Sequence, residues 1–188
     1  KDLIKEIKKF KNSKSKFFKA IEDKFEISFS RGDLDLIAGG PPCQGYSGIG
    51  HRRNYGVDRV KIPANKLYED MAKLIIALKP KVFLFENVRG LTWAKWTKEG
   101  KKGEIWEDVK STFNGKKRRF SELREYKVDA KLLFAKDYGI AQNRPRVFIV
   151  GYRKDFFGNT LDKLLHFPKP GDHNPPNIED ILGDLVDE

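Results

Sequence analysis

Two short apolar runs bracket a helical period, and that alternation limits what the chain can fold into. Leu34-Asp35-Leu36-Ile37-Ala38 stops abruptly at Gly39-Gly40-Pro41-Pro42, the pattern of a buried strand that ends in a sharp turn. Leu67, Met71, Leu74, Ile75 and Leu78 then recur on one helical face. Asn65 can cap that helix, Glu69 and Asp70 sit near its start, and Lys79-Pro80 ends it. Val82-Phe83-Leu84-Phe85 follows at once without polar alternation, as expected of a strand covered on both faces. Ile105, Val109 and Phe113 suggest a second helix, and residues 128–134 and Val147-Phe148-Ile149-Val150 two more strands. Strand, helix, strand with short links predicts an α/β fold with a mostly parallel sheet and flanking helices.

Size and charge narrow the function classes. A chain of 188 residues predicts about one domain, and 39% hydrophobic residues are enough for a core, which excludes wholesale disorder. The single Cys excludes an intrachain disulfide framework and a Cys-cluster zinc site. No apolar run approaches the ~18–20 residues of a membrane span. The opening Lys-Asp-Leu-Ile-Lys carries charges where a signal peptide would be apolar. The expectation is a cytoplasmic protein with no membrane partner. Lys and Arg number 38 against 27 Asp and Glu, a net charge of +11. That excess fits a nucleic-acid binder and equally fits a lysine-solvated surface.

Three stretches stand apart. Residues 1–25 carry Leu3, Ile4, Ile7 and Phe10, then Phe17, Phe18, Ile21 and Phe25, at helical spacing, which predicts a helical segment with a lysine-covered outer face. Residues 92–119 hold Trp93, Trp96 and Trp106 with two basic clusters, Lys101-Lys102 and Lys116-Lys117-Arg118-Arg119. Such a mixture can stack bases and hold phosphates, or can be an insertion whose tryptophans pack on the domain. Residues 166–176 contain four Pro and read as a loop.

Ligands of open α/β sheets bind beyond the carboxyl ends of strands, and reactive residues cluster there. The first strand leads into Pro41-Pro42-Cys43-Gln44-Gly45-Tyr46-Ser47, the second ends in Glu86-Asn87-Val88-Arg89-Gly90, and Gln142-Asn143-Arg144-Pro145-Arg146 precedes the last. Singly, each has an ordinary reading: a lone Cys is more often a small buried hydrophobe than a nucleophile. Gly45, Gly48 and Gly50 match neither dinucleotide nor P-loop spacing, and suggest instead a flexible loop that closes over a substrate.

Together, Pro-Pro-Cys-Gln, Glu-Asn-Val and Gln-x-Arg-x-Arg resemble the DNA (cytosine-5)-methyltransferase family in order, spacing and strand context. The resemblance runs from about Asp33 to Arg153, and includes Asn65-Lys66-Leu67-Tyr68 and Ala135-Lys136-Asp137-Tyr138-Gly139. It implies a Rossmann-like, S-adenosylmethionine-dependent methyltransferase fold acting on cytosine in double-stranded DNA. It implies Cys43 as the nucleophile, Glu86 as the carboxyl facing cytosine N3, and Arg144 and Arg146 as the paired arginines. Pro42 and Leu67 resemble positions that contact the methyl donor. Asn87 resembles the residue that braces the Pro42 loop, and Gln44 and Ser47 lie on the catalytic loop. Arg52, Arg53, Arg59 and Lys61 follow that loop and are phosphate candidates, although solvated surface charge is an equal reading for them. Bacterial members usually serve restriction–modification, and nucleoid association would follow in a bacterium.

The family's Phe-x-Gly-x-Gly loop and acidic ribose partner have no counterpart before Asp33, and its target-recognition region has none after the arginine motif. Residues 1–188 are therefore expected to be part of one catalytic domain. Residues 1–30 form a helical link, 31–153 the methyltransferase core, and 154–188 a connection toward a target-recognition region. Three readings stand: a fragment of a larger enzyme, one subunit of a split enzyme whose second polypeptide carries the remaining motifs, or a non-catalytic DNA-binding relative. A tRNA cytosine-5 methyltransferase is a narrower alternative. The chain alone is expected to bind S-adenosylmethionine weakly or not at all. Calorimetry tests this, and low-micromolar binding would contradict it.

Overall fold

The computed structural model of the chain describes residues 23, 24, 26, 28, 30–42, 63–164, 167–171, 175–177 and 181–183. Among the described residues, four strands form a single sheet: β1 (Leu36–Gly39), β2 (Val82–Val88), β3 (Tyr126–Phe134) and β4 (Pro145–Arg153), in the order β1-β2-β4-β3. Helix α1 (Leu67–Leu78) joins β1 to β2, and helix α2 (Glu104–Phe113) lies between β2 and β3. Two four-residue helices, Lys154–Phe157 and Leu161–Leu164, follow β4. Most of the segment expected to be helical at 1–25 lies outside the described residues.

The α/β class with flanking helices expected from the sequence is present, and among the described residues the sheet is mixed and not mostly parallel. β1 and β2 run parallel, whereas β4 is antiparallel to both β2 and β3. Connection length explains the difference. β1 and β2 are separated by a stretch long enough for a helical crossover, while only residues 135–144 join β3 to β4. So short a link favours antiparallel neighbours, because a parallel return needs a dozen or more residues.

One face of the sheet is the core. Phe83, Phe85 and Asn87 alternate inward along β2, and Val147, Ile149, Gly151 and Arg153 along β4. They meet Met71, Ala72 and Ile75 of α1, Ile105, Val109 and Phe113 of α2, and Phe120 and Leu123 of the 3-10 stretch Arg118–Glu125. Phe83 stacks on Phe113 with ring centres 5.5 Å apart, and meets Tyr126 edge-on at 5.3 Å. The second face corrects the expectation of strands covered on both sides. Leu36 is 54% exposed. Leu84, Leu133, Phe148, Val150 and Tyr152 line a cavity of about 340 Å³ closed by Leu164, Phe167 and Pro168. Both long helices pack on the Phe83 face, which leaves this one to the short C-terminal segments.

The helix starts also differ from expectation. Asn65 does not cap α1. It lies inside a 3-10 turn, Pro63–Lys66, that runs directly into the helix. At the far end Lys79 takes φ 50, a left-handed closure that returns its N–H to the Ile75 carbonyl.

Gly151 is where the core tolerates least. It faces Phe83 in the β2–β4 register, and an added Cβ would lie 2.0 Å from that ring. The ring is fully buried and held by Phe113 and Tyr126. Gly151→Ala is expected to destabilise the fold by about 1–3 kcal/mol, the usual cost of overpacking. The urea midpoint measures it, and Phe83→Leu in the same chain should recover part of the loss. An unchanged midpoint would contradict this packing.

Candidate active site

Sheet topology brings the motif residues to one edge. Because β1 and β2 are parallel, their carboxyl ends emerge together, and the antiparallel β4 begins there. Gly40, Pro41 and Pro42 leave β1 at this edge, Glu86 and Asn87 lie near the end of β2, Arg144 immediately precedes β4 and Arg146 lies at its start. Pro42 is exposed and Leu67, the first residue of α1, is half-buried.

Glu86 and Arg146 meet across the β2–β4 pair. Glu86 lies opposite Phe148, so Arg146, two residues away along β4, shares its face. Arg146 Nε and Glu86 Oε1 form an ion pair at 2.7 Å, and both side chains are partly screened from solvent, at 22% and 36% exposure. A second Arg146 donor, Nη1, holds the Pro145 carbonyl at 2.8 Å. One carboxylate oxygen is thus fixed by a guanidinium that is itself fixed to the backbone. The other, Oε2, lies over Gly40, where a Cβ would be only 2.9 Å away. Gly40 leaves room at the sheet edge for this oxygen, which has no hydrogen bond or ion pair among the described residues.

Asn87 alternates to the buried face at 3% exposure. Its Nδ2 donates to the Pro41 carbonyl at 3.0 Å, and its Oδ1 accepts from the Val88 N–H at 3.0 Å. The chain leaving β1 toward position 43 is therefore tied to the end of β2. Arg144 is exposed on the loop before β4, and its side chain makes no hydrogen bond or ion pair among the described residues. Its backbone is fixed by N–H donation to the Gln142 carbonyl at 2.9 Å. Cys43, Gln44, Ser47, Arg52, Arg53, Arg59 and Lys61 lie outside the described residues. No group of three or more His, Cys, Asp or Glu able to hold a metal ion occurs among the described residues.

Two contributors were not singled out from the sequence: the Pro41 carbonyl that Asn87 grips, and Gly40 beneath Glu86. The only signal for either is the Gly-Gly-Pro-Pro turn, which marks a break in the strand and not a partner.

The Trp-rich stretch divides in two. Trp96 and Trp106 pack against the core. Lys117 pairs with Asp108 at 2.6 Å, Arg119 pairs with the nearly buried Glu69, and Tyr68 donates to Asp108. The second basic cluster is thus partly committed to joining α1, α2 and the following turn. Trp93 is instead 49% exposed, directly after β2.

An α/β sheet carrying a carboxylate and an arginine pair at its strand ends is the frame of a ligand-binding or catalytic domain. The family model for C-5 cytosine-specific DNA methylase matches residues 4–188, and the chain belongs to that family. It is 35% identical over 179 residues to the type II methyltransferase M.FnuDI of Fusobacterium nucleatum, covering 94% of this chain and 45% of that protein. It is 34% identical over 145 residues to the type II methyltransferase M.AquIA of a Picosynechococcus strain, covering 77% and 51%. A solved structure from E. coli, described as a prophage-encoded DNA modification methyltransferase, aligns with TM-score 0.58 and 26% identity over 90% of this chain and 39% of that one. The chain spans about half or less of the length of these relatives.

No helix among the described residues is long and apolar enough to cross a membrane.

Proposed function

We propose that this chain is the central part of the catalytic domain of an enzyme that methylates C5 of cytosine in double-stranded DNA. Residues 31–153 form its core, 1–30 a link into it and 154–188 a connection toward a target-recognition region. The observation that carries the reading is the Glu86–Arg146 pair beside the Asn87–Pro41 brace. It leaves one oxygen of an anchored carboxylate over Gly40, about three residues before Cys43 along the chain.

S-adenosylmethionine would supply the methyl group. Pro42 and Leu67 are apolar and incompletely buried, Pro42 at the same sheet edge as Glu86, which suits the adenine or thioether part of that donor.

The residues divide the work as follows. Cytosine C5 is a weak nucleophile until electrons are pushed into the ring. The Cys43 thiolate adds to C6, forming the S–C6 bond and moving the ring's double-bond electrons toward C5. Glu86 meets N3 and supplies the proton or hydrogen bond that stabilises this adduct. Arg146 holds Glu86 in place, and the exposed Arg144 is free to reach cytosine O2 or a neighbouring phosphate. Asn87 fixes the start of the loop carrying Cys43, Gln44 and Ser47. After methylation, loss of the C5 proton to a base returns electrons to the ring and expels Cys43. The target base lies inside a duplex and must be flipped out, with phosphate affinity supplied by the basic surface.

The test is transfer of labelled methyl from S-adenosylmethionine by the full-length enzyme to a mixed-sequence duplex and, in parallel, to tRNA. Label recovered as 5-methylcytosine is expected. Label confined to tRNA, or none at all in enzyme that binds the duplex, would overturn the reading.

A further inference from the structure

Directly beyond Glu86 the chain builds a cationic surface that the proposed chemistry does not use. β2 ends at Val88 and continues as the 3-10 turn Arg89–Trp93, so this turn occupies the same sheet edge as Glu86 and Arg146. Trp93 is half exposed. The Arg89 guanidinium lies 4.8 Å from its ring centre and the Lys102 ammonium 5.6 Å. Neither cation makes an ion pair or side-chain hydrogen bond among the described residues. An exposed Trp holding two uncompensated cations is unlike the other basic cluster, where Lys117 and Arg119 have carboxylate partners.

The surface is also preformed. Gly103 at φ +82 turns the chain so tightly that a Cβ would sit 3.1 Å from the Thr92 carbonyl, bringing Lys102 back against Trp93. Glu104 accepts from the Trp96 N–H at 2.5 Å and the Lys101 N–H at 3.3 Å, so its charge is spent on the loop's own backbone. Thr92 Oγ1 donates to the Arg89 carbonyl at 2.8 Å. Residues 89–103 contain five cations (Arg89, Lys95, Lys98, Lys101, Lys102) and one carboxylate, Glu99.

We propose that this turn and loop grip the phosphate backbone of duplex DNA beside the reacting cytosine, with Arg89 and Lys102 as the phosphate ligands and Trp93 as the residue that positions them. The proposal rests on the DNA reading above and assigns it a surface. A rigid ring under two cations removes conformational freedom that flexible side chains would otherwise lose on binding. The charge matches a polyanion.

The test is duplex affinity of the full-length enzyme measured against salt. Each phosphate contact contributes about −0.9 to the slope of log K against log salt. Arg89→Gln with Lys102→Gln is expected to make the slope about 1.8 less steep, which at 0.1 M salt corresponds to about 60-fold weaker binding. Trp93→Ala should weaken binding about fivefold, and Trp93→Phe should restore it, because Phe keeps a cation-binding face. Lys163→Gln serves as the control. It lies at the other end of the sheet, where its neighbour Asp162 pairs with Lys127, and it should leave the slope unchanged. A wild-type enzyme with no binding or a flat salt response would defeat the DNA reading itself. A steep wild-type slope that the double variant shares with the control would overturn only this surface.

Discussion

Glu86→Gln is expected to slow methyl transfer by the full-length enzyme about 10²–10⁴-fold, the range associated with losing a positioned proton donor. Gln keeps the volume and can still accept from the charged Arg146 guanidinium, so a hydrogen bond can hold the side chain where the 2.7 Å ion pair held Glu86. What it lacks is a transferable proton and a negative charge to meet a protonating N3. DNA affinity should change little, because phosphate contacts supply most of it. The outcome separates two roles. If Glu86 only anchors Arg146, Gln should be nearly as good as Glu, and a rate within a few-fold of wild type would show that. Rates on duplexes of equal affinity are the measurement.

Cys43→Ser should have a larger effect, with methyl transfer falling below detection. A thiol ionises near pH 8.5 and its thiolate is strongly nucleophilic, whereas a hydroxyl is almost wholly un-ionised near neutral pH. Ser is close in size, so folding and duplex binding should persist. The Asn87–Pro41 bond precedes the loop and does not depend on the substituted atom. Full retention of activity in the Ser variant would return Cys43 to the ordinary reading of a small apolar residue.

Much of the core was legible because its signals are local. The period of Leu67, Met71, Ile75 and Leu78 specifies α1, and the run from Val82 to Phe85 specifies the middle of β2. Strand order was not legible, since nothing in Val147–Val150 says that β4 will insert between β2 and β3. Burial is not legible where a run is apolar without being covered. Leu36 reads as core by composition, yet the helices that could bury it pack on the other face. Asn65 has a capping side chain, but a 3-10 turn occupies the position where a cap would act.

The site was legible as a set of motifs and not as a geometry. Glu86, Asn87 and Arg146 stand out through their order along the chain. That Glu86 is two register steps from Arg146, and that Asn87 faces inward to reach Pro41, follows only from the β2–β4 pairing. The division of the three tryptophans was equally hidden. Trp96 and Trp106 are drawn to the core by α2, while Trp93 is left outside by a 3-10 turn that no periodicity announces.

The central claim is that Cys43 adds covalently to cytosine C6, and a trapped adduct tests it most directly. The full-length enzyme would be incubated with S-adenosylmethionine and a mixed-sequence duplex in which every cytosine carries fluorine at C5. Once the methyl group has been added, the fluorine cannot leave as a proton would, so Cys43 cannot be expelled. A protein–DNA complex that survives denaturant is expected for wild type, with slower accumulation for Glu86→Gln and none for Cys43→Ser. An enzyme that methylates ordinary duplex yet forms no such complex would contradict the account.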